Sequence, residues 1–460
     1  MILKQYYLGC LAHASYLIAG ARGGEAAVVD PQRDVDQYLD DAASLGLRVQ
    51  HVVLTHFHAD FIAGHLELRD RAGAKIYLGA RAQAEYPFTP LREGDEVDLG
   101  GAQLRILETP GHTPEGISIL VFDMAEAPAK PHAVLTGDTL FIGDVGRPDL
   151  MASVGISEKD LAGMLYDSLR TRLLTLPDET LVYPAHGAGS MCGRNLGSEN
   201  VSTIGEQRRI NYALQPMPKD AFIRLVTADL PETPAYFSYD AALNKRERPT
   251  LDRSLDRSLT PLPLDDVTRQ VNAGAQLLDV REPAEFAAAH LAGAINIGLS
   301  GKFATWCGTL LDRQHPIVLI AEPGRQPEAA MRLGRIGFDH VAGYLSGGMQ
   351  ALAGRNDLLA GTERIAPATL ATMMSGDSRP AVLDVRTARE HEDRSIPGSV
   401  NIPLDQLQRR LDDVPRGGRL VVHCASGYRS SIACSLLARA GRKGVVDLVG
   451  GIAGWEPAAS

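Results

Sequence analysis

The sequence predicts a multidomain α/β protein, with one β-rich unit followed by two smaller α/β units built on parallel sheets. Three observations predict it. The chain has 460 residues, too many for one ordinary core, and that length suggests about three domains. Up to about Pro218, short β-rich runs alternate with polar turns. Farther on the chain repeats itself: Leu278-Asp279-Val280-Arg281 recurs 105 positions later as Leu383-Asp384-Val385-Arg386, and each copy is followed in register by a Glu, a Gly and an Asn-Ile pair.

Lys and Arg number 46 against 56 Asp and Glu, a net charge of -10. Such a field repels phosphate backbones and anionic lipid surfaces, so nucleic acid is not an expected partner. No apolar run is long enough to span a bilayer, and no membrane association is expected. The stretch Met1-Ile2-Leu3-Lys4-Gln5-Tyr6-Tyr7 lacks the basic region, apolar stretch and cleavage site of a signal peptide. Five cysteines, Cys10, Cys192, Cys307, Cys424 and Cys434, form neither a CxxC pair nor a disulfide framework. A reduced, cytoplasmic chain is expected.

In the first unit, expected over 1–235, the runs Ala26 to Val29, Val52 to Thr55, Leu104 to Glu108, Ile117 to Phe122, Ala133 to Thr136 and Thr180 to Tyr183 read as strands. From Pro231 the composition shifts, with Pro231, Pro234, Pro249, Pro261 and Pro263 around the charged segment Asn244-Lys245-Arg246-Glu247-Arg248. A linker is expected over 236–261. Each repeat, 262–360 and 361–460, then has an apolar strand, a loop, a helical stretch, another strand and a Gly-Gly pair, Gly347-Gly348 or Gly450-Gly451. Strands alternating with helices imply βαβ units and a parallel sheet.

Four turns at strand ends carry metal-ligand chemistry. Thr55-His56-Phe57-His58-Ala59-Asp60-Phe61 follows the apolar run Val52-Val53-Leu54, and three later turns offer His112 in Thr109-Pro110-Gly111-His112-Thr113, Asp138 in Leu135-Thr136-Gly137-Asp138-Thr139 and His186 in Tyr183-Pro184-Ala185-His186-Gly187. One histidine in such a place is usually just a polar turn residue. Four turns in this serial order resemble the metallo-β-lactamase superfamily, over roughly residues 1–230, and the resemblance implies an αββα sandwich. In dinuclear members, such as hydroxyacylglutathione hydrolases, HxHxDH, a later His, a bridging Asp and a final His build two metal sites. By position His56, His58, His112 and Asp138 match the first site. Asp60 and His186 match the second, whose remaining histidine position holds Phe61. A phenyl ring ligates no metal, so one site is complete and the other lacks a ligand.

The segments Phe141-Ile142-Gly143-Asp144-Val145-Gly146-Arg147-Pro148-Asp149-Leu150 and Ser202-Thr203-Ile204-Gly205-Glu206 through Asn211 resemble persulfide dioxygenases, non-haem iron enzymes of that superfamily. This implies one Fe(II) per chain on His56, His112 and Asp138, with His58, Asp60 and His186 orienting the ligands and bonding bound water or oxygen. Mixed imidazole and carboxylate ligation with open positions suits an iron that binds both dioxygen and sulfur. Arg147 either pairs with Asp144 or Asp149 or, as the resemblance implies, meets the carboxylate of a thiol carrier, usually glutathione, through its two-pronged fork. Cys192 reads as a buried bystander thiol, since no base is identifiable beside it.

Near the C-terminus, Leu420-Val421-Val422-His423-Cys424-Ala425-Ser426-Gly427-Tyr428-Arg429-Ser430-Ser431 runs from a strand through a tight loop into a helix. Backbone N-H groups at a helix start stabilise a thiolate, and Arg429 adds positive charge. With Asp384 upstream and Gly450-Gly451 downstream, the loop resembles rhodanese sulfurtransferases over roughly 362–460. The resemblance implies that Cys424 carries sulfur as a persulfide, with Asp384 and Arg429 shaping the loop. Aligning Ile317 through Arg325 with Val421 through Arg429 puts Ile320 at the cysteine position, so the first repeat is expected to be a catalytically dead rhodanese with a packing or docking role.

The joined resemblances imply an enzyme of sulfide oxidation or detoxification. A low-molecular-weight thiol persulfide and O2 would give thiol and sulfite at the iron, and Cys424 would interconvert sulfite, thiosulfate and persulfide. The thiol is open among glutathione, coenzyme A, bacillithiol and mycothiol, as is the direction of the second step. A homodimer or homotetramer is expected. Two rivals remain: a dinuclear-zinc thioester hydrolase of glyoxalase II type fused to a sulfurtransferase, and a sulfur-relay or sensing protein with a structural metal.

Overall fold

The computed structural model describes residues 1–455 except 151–154, 195, 229, 231–232 and 377–378. Pro231 and residues 456–460 of the expected last domain thus lie outside the described residues. The chain divides into two compact units, Met1–Leu251 with Gly334–Gly337, and Asp252–Leu333 with Phe338–Ser460.

In the first unit one sheet runs, in spatial order, β1 (Ile2–Leu8), β2 (His13–Ala19), β3 (Glu25–Val29), β4 (Arg48–Val53), β5 (Lys75–Gly79) and β6 (Thr89–Leu91). A second holds β7 (Glu96–Asp98), β8 (Ala102–Glu108), β9 (Ile117–Asp123), β10 (Ala133–Gly137), β11 (Leu181–Pro184) and β12 (Ser202–Thr203), again in order. Tyr16, Ile18, Val29 and Val53 of the first sheet share a core with Leu104, Ile106, Ile119 and Leu135 of the second, so the sheets pack face to face. Every residue of β9 is buried. Its alternation explains why: Ile117, Ile119 and Val121 enter that core, while Leu120 and Phe122 enter another with Leu165, Leu169 and Phe222 of the helices Glu158–Thr171 and Lys219–Thr227. Helices Asp36–Ser44 and His65–Ala72 pack on β4, giving four layers, αββα. The ligand-bearing turns follow β4, β8, β10 and β11.

The stretch expected to be a linker is folded. It contains the helices Phe237–Leu243 and Leu251–Ser258, and Phe237, Asn244 and Arg248 are buried. Asn244 Nδ2 donates to the carbonyls of His58 and Phe61, both at 2.8 Å, and its Oδ1 accepts from Ala63 N at 2.9 Å. Arg248 pairs with Glu67 at 2.7 Å. The composition looked like a linker because these polar groups satisfy backbone and carboxylate far away in the chain.

The second unit holds β13 (Pro261–Leu262), β14 (Gln276–Asp279), β15 (His290–Leu291), β16 (Ile295–Asn296), β17 (Ile317–Ile320), β18 (Val341–Leu345), β19 (Leu359–Ala360), β20 (Glu363–Ile365), β21 (Ala381–Asp384), β22 (Val400–Asn401), β23 (Leu420–His423) and β24 (Val445–Leu448). Its two five-stranded sheets have the orders β13-β18-β17-β14-β16 and β20-β24-β23-β21-β22. All their pairings are parallel, and they correspond strand for strand, as the repeat predicts.

Sheet register corrects the alignment of the first repeat. Asp279 pairs with Ile320 as Asp384 pairs with His423, so Ala321, not Ile320, stands where Cys424 does. The Gly-Gly pairs, 103 positions apart, carry this same offset. The repeat still has no nucleophile at that point. Among the described residues no helix is long and apolar enough to cross a membrane.

Candidate functional site

His56, His112 and Asp138 come together at the edge of the sandwich, each offering an atom within 4.8 Å of the others, and all three are buried. Their orientation is set from behind. Thr55 Oγ1 donates to Asp30 Oδ2 at 2.8 Å, so it accepts from His56 Nδ1 at 2.9 Å, while His112 Nδ1 donates to the Arg147 carbonyl at 2.8 Å. Both rings therefore turn Nε2, with its lone pair, inward. His56 Nε2 and His112 Nε2 lie 3.7 and 3.5 Å from Asp138 Oδ2. His56 Nε2 and Asp138 Oδ2 are buried without a hydrogen-bond partner. Buried polar atoms are costly when unpartnered, and a bound cation is what two imidazole lone pairs and a carboxylate oxygen fit. A cleft of about 160 Å³ opens onto them, lined also by Thr109, Thr113 and Thr139.

Three further ligand-type residues, His58, Asp60 and His186, cluster beside this set. His186 Nδ1 donates to Asp138 Oδ1 at 2.7 Å, and Nε2 lies 2.9 Å from Asp60 Oδ2, close enough for an ion pair though outside hydrogen-bond geometry. Burial alone would lower the basicity of His186, but the two carboxylates outweigh it and hold its pKa well above the usual value. Burial likewise pushes the Asp138 carboxyl up, and His186 and His56 more than reverse this, holding it well below the carboxylate range. His186 thus has one ring nitrogen engaged by Asp138 while the other faces Asp60. Phe61, 1 % exposed, closes the other side, its ring 4.4 Å from His58 and 4.1 Å from His13.

The segment 141–150 owes its form to distant residues. Asn211 Nδ2 donates to the Asp144 carbonyl at 2.9 Å, Gln207 Oε1 accepts from Gly143 N at 2.8 Å, and Asp144 Oδ1 accepts from Tyr212 at 2.7 Å. The two stretches that stood out in sequence are thus one structural unit. Arg147 turns its fork to Asp149, with two bonds of 2.6 Å, and the side chain is 1 % exposed. Its contribution to the centre is its carbonyl on His112.

In the second unit Cys424 follows β23 and is buried at the start of the helix Tyr428–Arg439. Gly427 N donates to its Sγ at 3.1 Å, and Gly427 takes φ of 110°, which glycine adopts without strain. Arg429 binds Glu390 with two bonds of 2.8 and 2.7 Å, holding the Glu390 pKa down at about 2. Asp384 lies fully buried with its carboxylate on Arg386 at 2.6 Å and on His391 at 2.9 Å. Asp279 and Arg281 close at the same 2.6 Å in the repeat without a nucleophile. Asp384 is therefore a strut common to both repeats, its carboxylate taken up by Arg386 and His391.

The family model of the metallo-beta-lactamase superfamily matches residues 8–186, and that of the rhodanese-like domain matches 264–354 and 366–458. The mitochondrial persulfide dioxygenase ETHE1 of Bos taurus is 29% identical over 219 residues, which cover 46% of this chain and 76% of that protein. A hydroxyacylglutathione hydrolase of Rhodospirillum rubrum is 30% identical over 239 residues, covering 50% and 80%. The crystal structure of a metallo-beta-lactamase from Staphylococcus aureus subsp. aureus COL, 30% identical, matches with a TM-score of 0.67 over 75% of this chain and 98% of that one. The chain belongs to the metallo-β-lactamase superfamily. In this superfamily member a metallo-β-lactamase domain with persulfide dioxygenase homology is joined to two rhodanese-like domains.

Sequence reasoning missed two residues of this metallo-β-lactamase centre and read a third, Cys192, as a bystander. Asp30, at the end of β3 with φ of 49°, accepts from Thr55 N and Oγ1, both at 2.8 Å, and lies 3.1 Å from His58 Nε2. It ends an apolar strand as Asp138 does, a pattern that was available to find it. His13 is buried with neither ring nitrogen partnered, and burial lowers its pKa well below the usual value. Cys192 is no bystander in position, since its sulfur lies within 4.8 Å of ligating atoms of Asp138 and His186. Burial pushes its thiol pKa well up. A lone His at the start of a strand, or a lone Cys in a loop, gives no sequence signal of such a neighbourhood.

Proposed function

We propose that this superfamily member is a persulfide dioxygenase with an attached sulfurtransferase. A low-molecular-weight thiol persulfide, dioxygen and water would become the thiol, sulfite and two protons. Cys424 would then move sulfane sulfur between persulfide, sulfite and thiosulfate. The observation that carries this reading is the asymmetry of the two ligand sets. His56, His112 and Asp138 form a complete inward-facing set, with His56 Nε2 and Asp138 Oδ2 unpartnered, whereas the set of His58, Asp60 and His186, which also holds unpartnered atoms, has His186 Nδ1 engaged by Asp138 and Phe61 at its remaining position.

His56, His112 and Asp138 would hold one Fe(II), which supplies the redox chemistry that joins dioxygen to sulfur. Thr55 and the Arg147 carbonyl keep the protons of the two rings on Nδ1. His186 keeps its own proton against Asp138 Oδ1, which leaves Oδ2 for the metal. The threonine-lined cleft opens onto the three donors, and substrate would approach through it. The identity to a hydroxyacylglutathione hydrolase favours the rival reading, a dinuclear thioester hydrolase, and Phe61 and the engaged His186 weigh against it.

Metal analysis with oxygen uptake tests the choice. About one iron per chain and uptake on adding glutathione persulfide are expected; two zincs with thioester hydrolysis would overturn the reading. Asp138→Ala should abolish uptake and retain thiosulfate sulfurtransferase activity, and Cys424→Ser should do the reverse.

A further inference from the structure

The repeat without a nucleophile has a surface that touches the sulfur loop of the other repeat. Tyr428, within the loop, donates its hydroxyl to the Gly298 carbonyl at 2.7 Å. Its ring lies on Gly301 so closely that a Cβ added there would be 2.4 Å from the ring. One turn farther along the same helix, Ser431 Oγ donates to Asn296 Oδ1 at 2.7 Å, and Ser435 Oγ accepts from Asn296 N at 3.1 Å. Positions 428, 431 and 435 lie on one helix face. Asn296 is itself fixed, since its Nδ2 donates to the carbonyls of Asp279 at 3.1 Å and Arg281 at 2.9 Å. Asn296, Ser431 and Ser435 are all buried.

This seat is one-sided. In the first repeat the position of Tyr428 is held by Arg325, by the register that places Ala321 on Cys424. Asn401, the counterpart of Asn296, makes the same two Nδ2 bonds, to Asp384 O at 3.0 Å and Arg386 O at 2.9 Å, and is only half-buried. Tyr428 is the residue after Gly427, whose N-H reaches Cys424 Sγ. A shift of the helix start therefore moves the donor that holds the sulfur.

We propose that the nucleophile-free rhodanese repeat is a positioning element for Cys424: its edge from Asn296 to Gly301 seats Tyr428, Ser431 and Ser435 and so sets the amide cradle of the sulfur loop. Sulfur transfer then depends on residues of a repeat that has Ala321 where its neighbour has Cys424. The functional meaning rests on Cys424 being the sulfur carrier; the geometry does not.

The test uses the full chain and the rate of Cys424 alkylation by iodoacetamide, read at the Cys424 peptide by mass spectrometry across pH. Gly301→Ala puts a methyl group into the Tyr428 ring. Alkylation is expected to slow about tenfold at neutral pH, with the inflection of the pH profile moved upwards and sulfurtransferase kcat lowered in parallel. Removing the ring as well, in Gly301→Ala with Tyr428→Ala, should cost no more than Tyr428→Ala alone. Folded Gly301→Ala that alkylates at the parent rate and pH profile would overturn the proposal. If Gly301→Ala does not fold, Tyr428→Phe, which loses only the bond to Gly298, decides: a slowing of about threefold supports the seat, and an unchanged profile removes it. A parent chain that alkylates at Cys424 yet lacks transferase activity would instead sink the sulfur-carrier reading alone.

Discussion

Gly146 lies against Asp138 with no room for a side chain: a Cβ would stand 1.9 Å from the Asp138 carbonyl oxygen and 3.0 Å from His112 Nδ1. The glycine of the Gly-Asp-Val-Gly-Arg segment is thus a spacer between two of the three inward-facing donors. Gly146→Ala should push His112 and Asp138 apart, cut bound metal at least tenfold and destabilise the domain by roughly 1–3 kcal/mol. Metal content and urea unfolding measure the two effects.

Phe61→His is expected to raise the metal bound per chain from about one to about two. The new imidazole would join Asp60 and His186, and a second cation would displace a proton from the His186 nitrogen that faces Asp60. Metal titration with zinc checks this; an unchanged stoichiometry would mean that the clamped His186, rather than the phenyl ring, keeps the second set from loading.

Arg147 and Asp149 should behave as one unit. Arg147→Ala is expected to lose roughly 3 kcal/mol, because it leaves the Asp149 carboxylate largely buried without its guanidinium, and Asp149→Ala to lose less, because Arg147 also bonds the Met191 carbonyl and Thr233 Oγ1. A double-mutant cycle by urea unfolding should give strongly non-additive losses. Were Arg147 instead a substrate contact, Arg147→Ala would raise KM for the persulfide and Asp149→Ala would not.

Acid should loosen the turn that carries His56. Glu67 sits just beyond it, against Arg248 and Arg33. Burial raises the Glu67 pKa, but the Arg248 charge and hydrogen bond overcome this and bring it down to about 2 from 4.5. A carboxyl whose folded pKa is depressed contributes stability that is complete above 4.5 and is lost as pH falls from there to about 2, here roughly 3 kcal/mol. Glu67→Gln should be less stable at pH 7 and show a flatter acid limb in unfolding midpoints between pH 5 and pH 3.

The sequence by itself determined the α/β architecture, the internal repeat and the identity of the ligand-bearing turns. Those features are local: hydrophobic periodicity and chemically rare residues at strand ends survive in one dimension. The fold of the expected linker, the partner of Arg147 and the structural use of Asp384 were decided only in three dimensions. The first depends on which polar groups meet across long separations, as Asn244 meets Phe61 and Arg248 meets Glu67, and the other two on which near neighbour a side chain turns to, as Arg147 turns to Asp149 and Asp384 to Arg386. The cysteine position of the first repeat shows the boundary well. Its chemistry was legible, since no cysteine stands near it, whereas the register that puts Ala321 and not Ile320 there, marked in the sequence only by the spacing of the Gly-Gly pairs, is shown directly by strand pairing.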